Sequence, residues 1–261
     1  MNELTKDKIL SQINIILIKL KQKGFLVGGA VRSILLEKTI KDIDIIVSGS
    51  SKSFSEYFVN NFDGKMIELD KKRQIYRIIF KTKNTTHEID VSPIHKNIII
   101  DLKTRDFTID SIAIDLIKDF RNSDSKKYID PSNGIHDLNN KVLRSNNEKI
   151  FIEDPIRLLR AIRISTELSF KISEETYKQI QKYNHLINSV AIERIREEFL
   201  KTLALPNGMS GVKLLNDVDL LTKIIPELNE SKGVAQPKEH YWDVFNHLIE
   251  TIGAVENIFD K

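Results

Sequence analysis

The stretch FLVGGAVRSILLEKTIKDIDIIVSG, residues 25–49, sets the plan of the front of this chain. Residues 25–27 are an apolar run that stops at Gly28 and Gly29. A run this short, bounded by glycine, reads as a buried strand entering a turn. Apolar residues resume at helical spacing over 30–37, and 43–47 is a second apolar run entered through Asp42 and Asp44. Side chains two apart on a strand leave the same face, so Asp42 and Asp44 present paired carboxylates. Such a pair repels itself unless a cation neutralises it. Hard divalent ions such as Mg²⁺ take this oxygen donor set when a substrate phosphate supplies further ligands. The bare N–H groups at Gly28 and Gly29, with the start of the next helix, suit a phosphate chain. Arg32, one turn in, can reach the same anion. A lone Gly-Gly is usually a turn and a lone Asp-x-Asp a solvated strand end. Together, in the order strand, turn, helix, strand, they point to metal-assisted phosphate chemistry.

On the N-terminal side, Leu4, Ile9, Ile13, Leu17 and Leu20 give residues 4–22 a helical period, with Gly24 placed as its C-cap. On the C-terminal side a helix is expected over 54–62, followed by strands over 65–69, 74–81 and 88–92, rich in β-branched and aromatic residues. From Glu153 the strand signals stop. Helices are expected over 155–167, 173–184, 190–204, 208–216 and 241–258, with Pro206, Pro226 and Pro237 marking breaks. The expectation is an α+β fold, a mixed sheet with helices followed by an all-helical region. Three parts are expected: a catalytic head over 1–150, a helical neck over 151–228, and the start of a further helical domain over 229–261.

Composition sets broad limits. The 261 residues are 41% hydrophobic, enough for a real core, and the formal net charge of +3 permits a nucleic-acid partner without demanding one. There is no cysteine, which excludes disulfides and thiolate metal sites. MNELTKDK carries no apolar signal core, and the apolar run at 15–18 is far too short to span a membrane. A cytoplasmic protein without membrane attachment is expected. Oligomeric state is not legible here.

The Gly-Gly-x-Val-Arg and Asp-x-Asp pattern resembles the signature of the nucleotidyltransferase superfamily, in the branch holding class II CCA-adding enzymes and bacterial poly(A) polymerases. Further motifs follow in the family's order. TRDFTIDSIAID (104–115) resembles a segment usually written RRDFTINALA, and DPSNGIHDLNNKVLR (130–144) resembles the connector after it. EDPIRLLRAIR (153–163) resembles the nucleotide-selecting motif, and ERIREEFLKTL (193–203) the helix beyond. Ser33 stands where an acidic residue is common, Glu37 for Gly, Thr104 for Arg and Asp110 for Asn.

The resemblance implies a third catalytic carboxylate, matched by Asp90 in HEIDVSP with Glu88 as the fallback, and roles for Arg105 on phosphate and Asp106 on ribose. Asp154 and Arg157 are three apart and expected on one face of a helix opened by Asp-Pro. Cytosine and adenine each pair an exocyclic amine with a ring-nitrogen acceptor, which a carboxylate and a guanidinium complement. Uracil and guanine would set a carbonyl against Asp154. The resemblance implies these same base-reading roles. Arg160 and Arg163 are expected at the triphosphate, while Glu193, Arg194 and Glu198 are expected to brace the neck through ion pairs. The implied reaction is attack by a tRNA 3′-hydroxyl on the α-phosphate of CTP or ATP, assisted by Mg²⁺, with pyrophosphate leaving.

Residues 225–258 resemble the junction into an HD-like helical domain, on Asp243, Val244, Phe245 and His247, and a fuller domain than these residues hold is implied. Only residues 91–104 separate Asp90 from Arg105, a short form of a segment that relatives use to switch from C to A. Full CCA addition is the leading reading. CC-only, A-only and poly(A) addition are the alternatives. Different in class are an HD phosphohydrolase, suggested by the His136-Asp137 dipeptide, and a non-catalytic RNA-binding module, suggested by Ser33 and Asp110.

Overall fold

In the computed structural model, residues 3–40, 42–82, 85–118, 128–237 and 241–259 are described, without the side chains of 3–7, 257 and 259. The chain divides into two compact units, Met1–Leu138 and Asn139–Lys261.

The first unit opens with α1 (Glu3–Lys19), β1 (Gly24–Val27), α2 (Gly29–Leu35), β2 (Ile43–Val47) and α3 (Ser51–Asn61). A meander follows: β3 (Gly64–Asp70), β4 (Ile75–Thr82) and β5 (Thr85–Pro93). Then come α4 (Ile98–Lys103), β6 (Ala113–Asp115), β7 (Tyr128–Ile129) and α5 (Gly134–Asn139). The strands make one sheet in the order β3-β4-β5-β2-β1-β6-β7, and β2 with β5 is its parallel pair. Period-2 alternation explains its two faces. Leu26, Ile45, Val47, Ile78, Phe80, Ile89 and Val91 point into a core with α1 and α3, centred on Ile13, Leu17, Phe54 and Phe58. Phe25, Val27 and Ile46 point the other way, against Leu102 of α4.

Gly24 is not a helix cap. Lys21 takes the left-handed position (φ 54) and the Gln22 N–H donates to the Leu17 carbonyl at 2.9 Å, closing α1. Gly24 instead begins β1, where a Cβ would lie 2.3 Å from Leu17 Cδ1, so close helix–strand packing is its reason. The segment between Asp90 and Arg105 carries α4, capped by the Asn97 side chain, which accepts from the Ile100 N–H.

The second unit contains α6 (Lys149–Glu153), α7 (Arg157–Leu168), α8 (Glu174–Tyr183), α9 (Ile192–Leu203), α10 (Gly208–Asp217), α11 (Leu221–Ile224) and α12 (Val244–Phe259). Strand structure does persist beyond residue 153: β8 (Val142–Leu143) pairs in parallel with β9 (Lys171–Ile172). Two residues per strand are too few to show a period. α7 buries Leu158, Leu159, Ala161, Ile162 and Ile164. Gly211 of α10 meets Thr166 and Thr202, where a Cβ would come within 2.6 Å of Thr202 Cγ2. Among the described residues, no helix is long and apolar enough to cross a membrane.

Candidate active site

The first unit gathers its chemistry at the turn after β1. Gly28 sits at φ 67, ψ −143, a conformation open only to glycine. A Cβ there would lie 3.0 Å from Asp44 Oδ2 and 3.2 Å from Arg105 Nη1. At Gly29 a Cβ would lie 3.6 Å from Arg32 Nη2. The two glycines therefore floor a cradle walled by one carboxylate and two guanidinium groups. A side chain at Gly28 would fill it.

Strand register places the acids. Asp44 on β2 lies beside Val27 of β1 on one side and Asp90 of β5 on the other, and Arg77 of β4 lies opposite Asp90. Asp42 precedes the strand and is exposed, but its charge reaches Asp44. Burial pushes the Asp44 carboxyl up to about 6; Arg105 opposes this, and Asp90, Asp42 and Asp110 add to it. Asp44 thus carries an ionisation cost that a cation would relieve.

Asp90 is already neutralised. Arg77 grips it with Nε to Oδ1 at 2.7 Å and Nη2 to Oδ2 at 2.8 Å, and holds Glu88 Oε2 at 3.0 Å through Nη1. These acids hold the Arg77 guanidinium firmly protonated, through its bond to Asp90 above all. Asp90 is next to Asp44 as expected, but neither it nor Glu88 completes a closed ligand set. Among the described residues, no three His, Cys, Asp or Glu side chains are arranged to hold a metal ion by themselves. The donor set at Asp42 and Asp44, hard oxygens beside the glycine cradle, fits an Mg²⁺ that draws further ligands from a substrate.

Arg32 is held by Asp110 in a direct ion pair, both side chains largely buried. Asp106 is buried, and one of its carboxylate oxygens accepts the Phe107 N–H at 3.0 Å. The 104–115 segment is latched to the connector: Thr108 Oγ1 donates to the buried Asp137 carboxylate at 2.8 Å, and a Cβ on Gly134 would overlap the Thr108 carbonyl at 2.0 Å. Asp137 points inward while His136 is 75% exposed, so this dipeptide does not converge as an HD metal site.

In the second unit Asp154 is not on the α7 helix, contrary to the expectation of a shared face. It terminates α6 in extended backbone (φ −149, ψ 93), and α7 begins at Arg157. The two side chains thus flank a helix junction. Arg157 Nη1 lies 3.5 Å from the Ile150 carbonyl and 4.0 Å from Glu153 Oε2. Both oxygens of Asp154 bond Arg194 of α9, at 3.0 and 2.9 Å. Arg163, expected at a triphosphate, bonds Glu198 at 2.7 Å and Glu167 at 3.2 Å. Arg160 shares α7 and is half-buried. Arg77 and the Arg194–Asp154 contact were missed in the sequence because both depend on register or packing between distant segments. An arginine on a strand alternating with Tyr76 and Ile78 was the one available hint of Arg77.

Residues 24–144 match the family described as "Poly A polymerase head domain", and residues 169–232 match the family described as "Probable RNA and SrmB- binding site of polymerase A". The chain is 34% identical to a CCA-adding enzyme of Ligilactobacillus salivarius over 218 residues, 78% of this chain and 52% of that protein. It is 32% identical to a CC-adding tRNA nucleotidyltransferase of Geobacter sulfurreducens, over 72% of this chain and 42% of that protein. The Thermotoga maritima CCA-adding enzyme complexed with tRNA superposes with a TM-score of 0.74 at 29% identity, over 88% of this chain and 54% of that one. The chain spans about half the length of the curated relatives it matches. The order of motifs, the head fold and these similarities agree: the chain belongs to the class II CCA-adding enzyme and poly(A) polymerase family.

Proposed function

We propose that this chain carries the catalytic and base-selecting parts of a template-independent tRNA nucleotidyltransferase that adds C and A to the tRNA 3′ end from CTP and ATP. The observation that carries this reading is the Gly28–Gly29 cradle, with Asp44, Arg105 and Arg32 at its walls. Solved relatives include CCA-adding enzymes complexed with ATP and with CTP, at 26% and 25% identity.

The residues divide the work by their chemistry. Arg32 and Arg105 bind the triphosphate, Arg32 oriented by Asp110 and Arg105 facing Gly28. Asp42 and Asp44 would hold an Mg²⁺ through their carboxylate oxygens. Bound there, Mg²⁺ would supply positive charge that offsets the negative charge developing at phosphorus and would lower the pKa of the attacking 3′-hydroxyl. Asp90, gripped by Arg77, lines the neighbouring strand beside Asp44. In the second unit Asp154 accepts from the exocyclic amine of cytosine or adenine, and Arg157 donates to the adjacent ring nitrogen. A carbonyl facing Asp154 would leave two acceptors unpaired, a mismatch costing on the order of 1–3 kcal/mol. Arg160 binds phosphate, Asp106 faces ribose, and Arg163 braces α7 against α9.

A CC-only product is the second reading. It is favoured by the brevity of residues 91–104 and by the CC-adding relative. The test of the function is labelled CTP incorporation into tRNA lacking its CCA end, with Mg²⁺. Wild type should extend the RNA, and Asp42→Ala or Asp44→Ala should lower the rate by at least about a thousandfold while retaining the fold. Near-normal incorporation by either variant would sink the assignment.

A further inference from the structure

We propose that Arg194 is a specificity-determining positioning residue, whose guanidinium fixes the plane in which the Asp154 carboxylate meets a nucleobase. This rests on the base-reading role given above to Asp154.

Asp154 lies outside regular structure, so helix geometry does not orient its side chain. Its backbone is tied: the Asp154 N–H donates to the Ile150 carbonyl at 3.2 Å, and its carbonyl accepts the Arg157 N–H at 3.1 Å. The carboxylate beyond has two free torsions unless something holds it. Arg194 does so with both oxygens at once, Nη1 to Oδ1 at 3.0 Å and Nη2 to Oδ2 at 2.9 Å. Two parallel charge-assisted bonds between planar groups set a plane as well as a position. Lysine, a point charge, would set position alone.

The pairing leaves Asp154 able to work. Each carboxylate oxygen has two lone pairs, so each keeps one after the Arg194 bond. The Asp154 side chain remains 25% exposed, open to a ligand. Arg157 is anchored independently, through Ile150 and Glu153 of α6. The two readers are thus fixed from different elements, Asp154 from α9 and Arg157 from α6.

A bracing role alone is a poor account of this pair. The Arg194 side chain is 53% exposed, and exposed ion pairs add little to stability. The α7–α9 contact already has an enclosed pair in Arg163 and Glu198, with side chains 16% and 10% exposed.

The test is equilibrium binding of CTP, ATP, UTP and GTP to the whole chain with Mg²⁺, for wild type, Arg194→Gln and Arg194→Lys, beside thermal denaturation of each. Wild type should prefer CTP over UTP. In Arg194→Gln that ratio should shrink about tenfold, with melting temperature nearly unchanged, and Arg194→Lys should fall between. Should Arg194→Gln fail to fold, Arg194→Lys carries the same comparison. An undiminished CTP-to-UTP ratio overturns the proposal. So does an equal loss of affinity for all four nucleotides accompanied by lowered stability, which marks a brace. A wild-type chain that binds all four alike, or none, overturns the base-reading role itself.

Discussion

Asp44 is where burial, three neighbouring acids and one arginine meet, and their balance leaves its carboxyl near 6 against an ordinary 3.8. A group whose folded pKa is raised stabilises the fold fully below its unfolded value and loses that contribution as pH rises through the folded one. The metal-free chain should therefore lose stability between pH 3.8 and about 6 on account of Asp44. At about pH 8, Asp44→Asn should be more stable than wild type by on the order of 1–3 kcal/mol, and the gap should close at low pH. Urea unfolding of both proteins across that range without metal checks this; a less stable variant at high pH would show that Asp44 is satisfied in some other way. Gly28 gives a second expectation. Alanine there meets both the left-handed φ and the Asp44 and Arg105 atoms within 3.2 Å. Gly28→Ala should weaken CTP binding at least about tenfold, and calorimetric titration reading wild-type affinity would mean the cradle is not the phosphate site.

Between elements, the contact that joins the 104–115 segment to the connector is the most constrained. Gly134 has no room for a methyl group against the Thr108 backbone, and that carbonyl cannot swing aside as a side chain could. Gly134→Ala should cost roughly 2–4 kcal/mol of stability through overpacking, read by denaturant midpoint; a neutral result would mean α5 shifts freely. This contact also shows why legibility was uneven. β2 was readable to the residue because Ile43–Val47 is a compact β-branched run between clear breaks. Gly28, Gly29, Arg32, Asp42 and Asp44 were readable because they lie within seventeen consecutive residues, and short spacing carries geometry. Arg77 opposite Asp90 was not, since only sheet register brings them together. Nor was Asp154 in the grip of Arg194, forty residues on, which needs the α6–α7 junction brought up to α9. The β8–β9 pair was invisible because two residues have no period.

Across the whole chain, the family resemblance covers a sheet-bearing unit and a helical unit, each with its own charged cluster. The proposed function gives phosphate chemistry to the first, through Asp42, Asp44, Arg32 and Arg105. It gives base choice to the second, through Asp154, Arg157 and Arg194. If transfer and selection are separable in this way, Asp154→Ala should relax the preference for C and A over U and G while residual transfer continues to need Asp44. Comparing the four nucleotides in single-turnover incorporation would show it, and a variant that keeps the wild-type preference would return Asp154 to a structural role. The decisive measurement is the product ladder on tRNA ending before CCA, with Mg²⁺ and first CTP alone, then CTP with ATP, for wild type and Asp44→Asn. The account predicts wild-type extension by C residues with CTP and a further A when ATP is added, and no extension by Asp44→Asn. A wild-type chain that leaves the RNA unextended, or an Asp44→Asn chain that extends it, would contradict it.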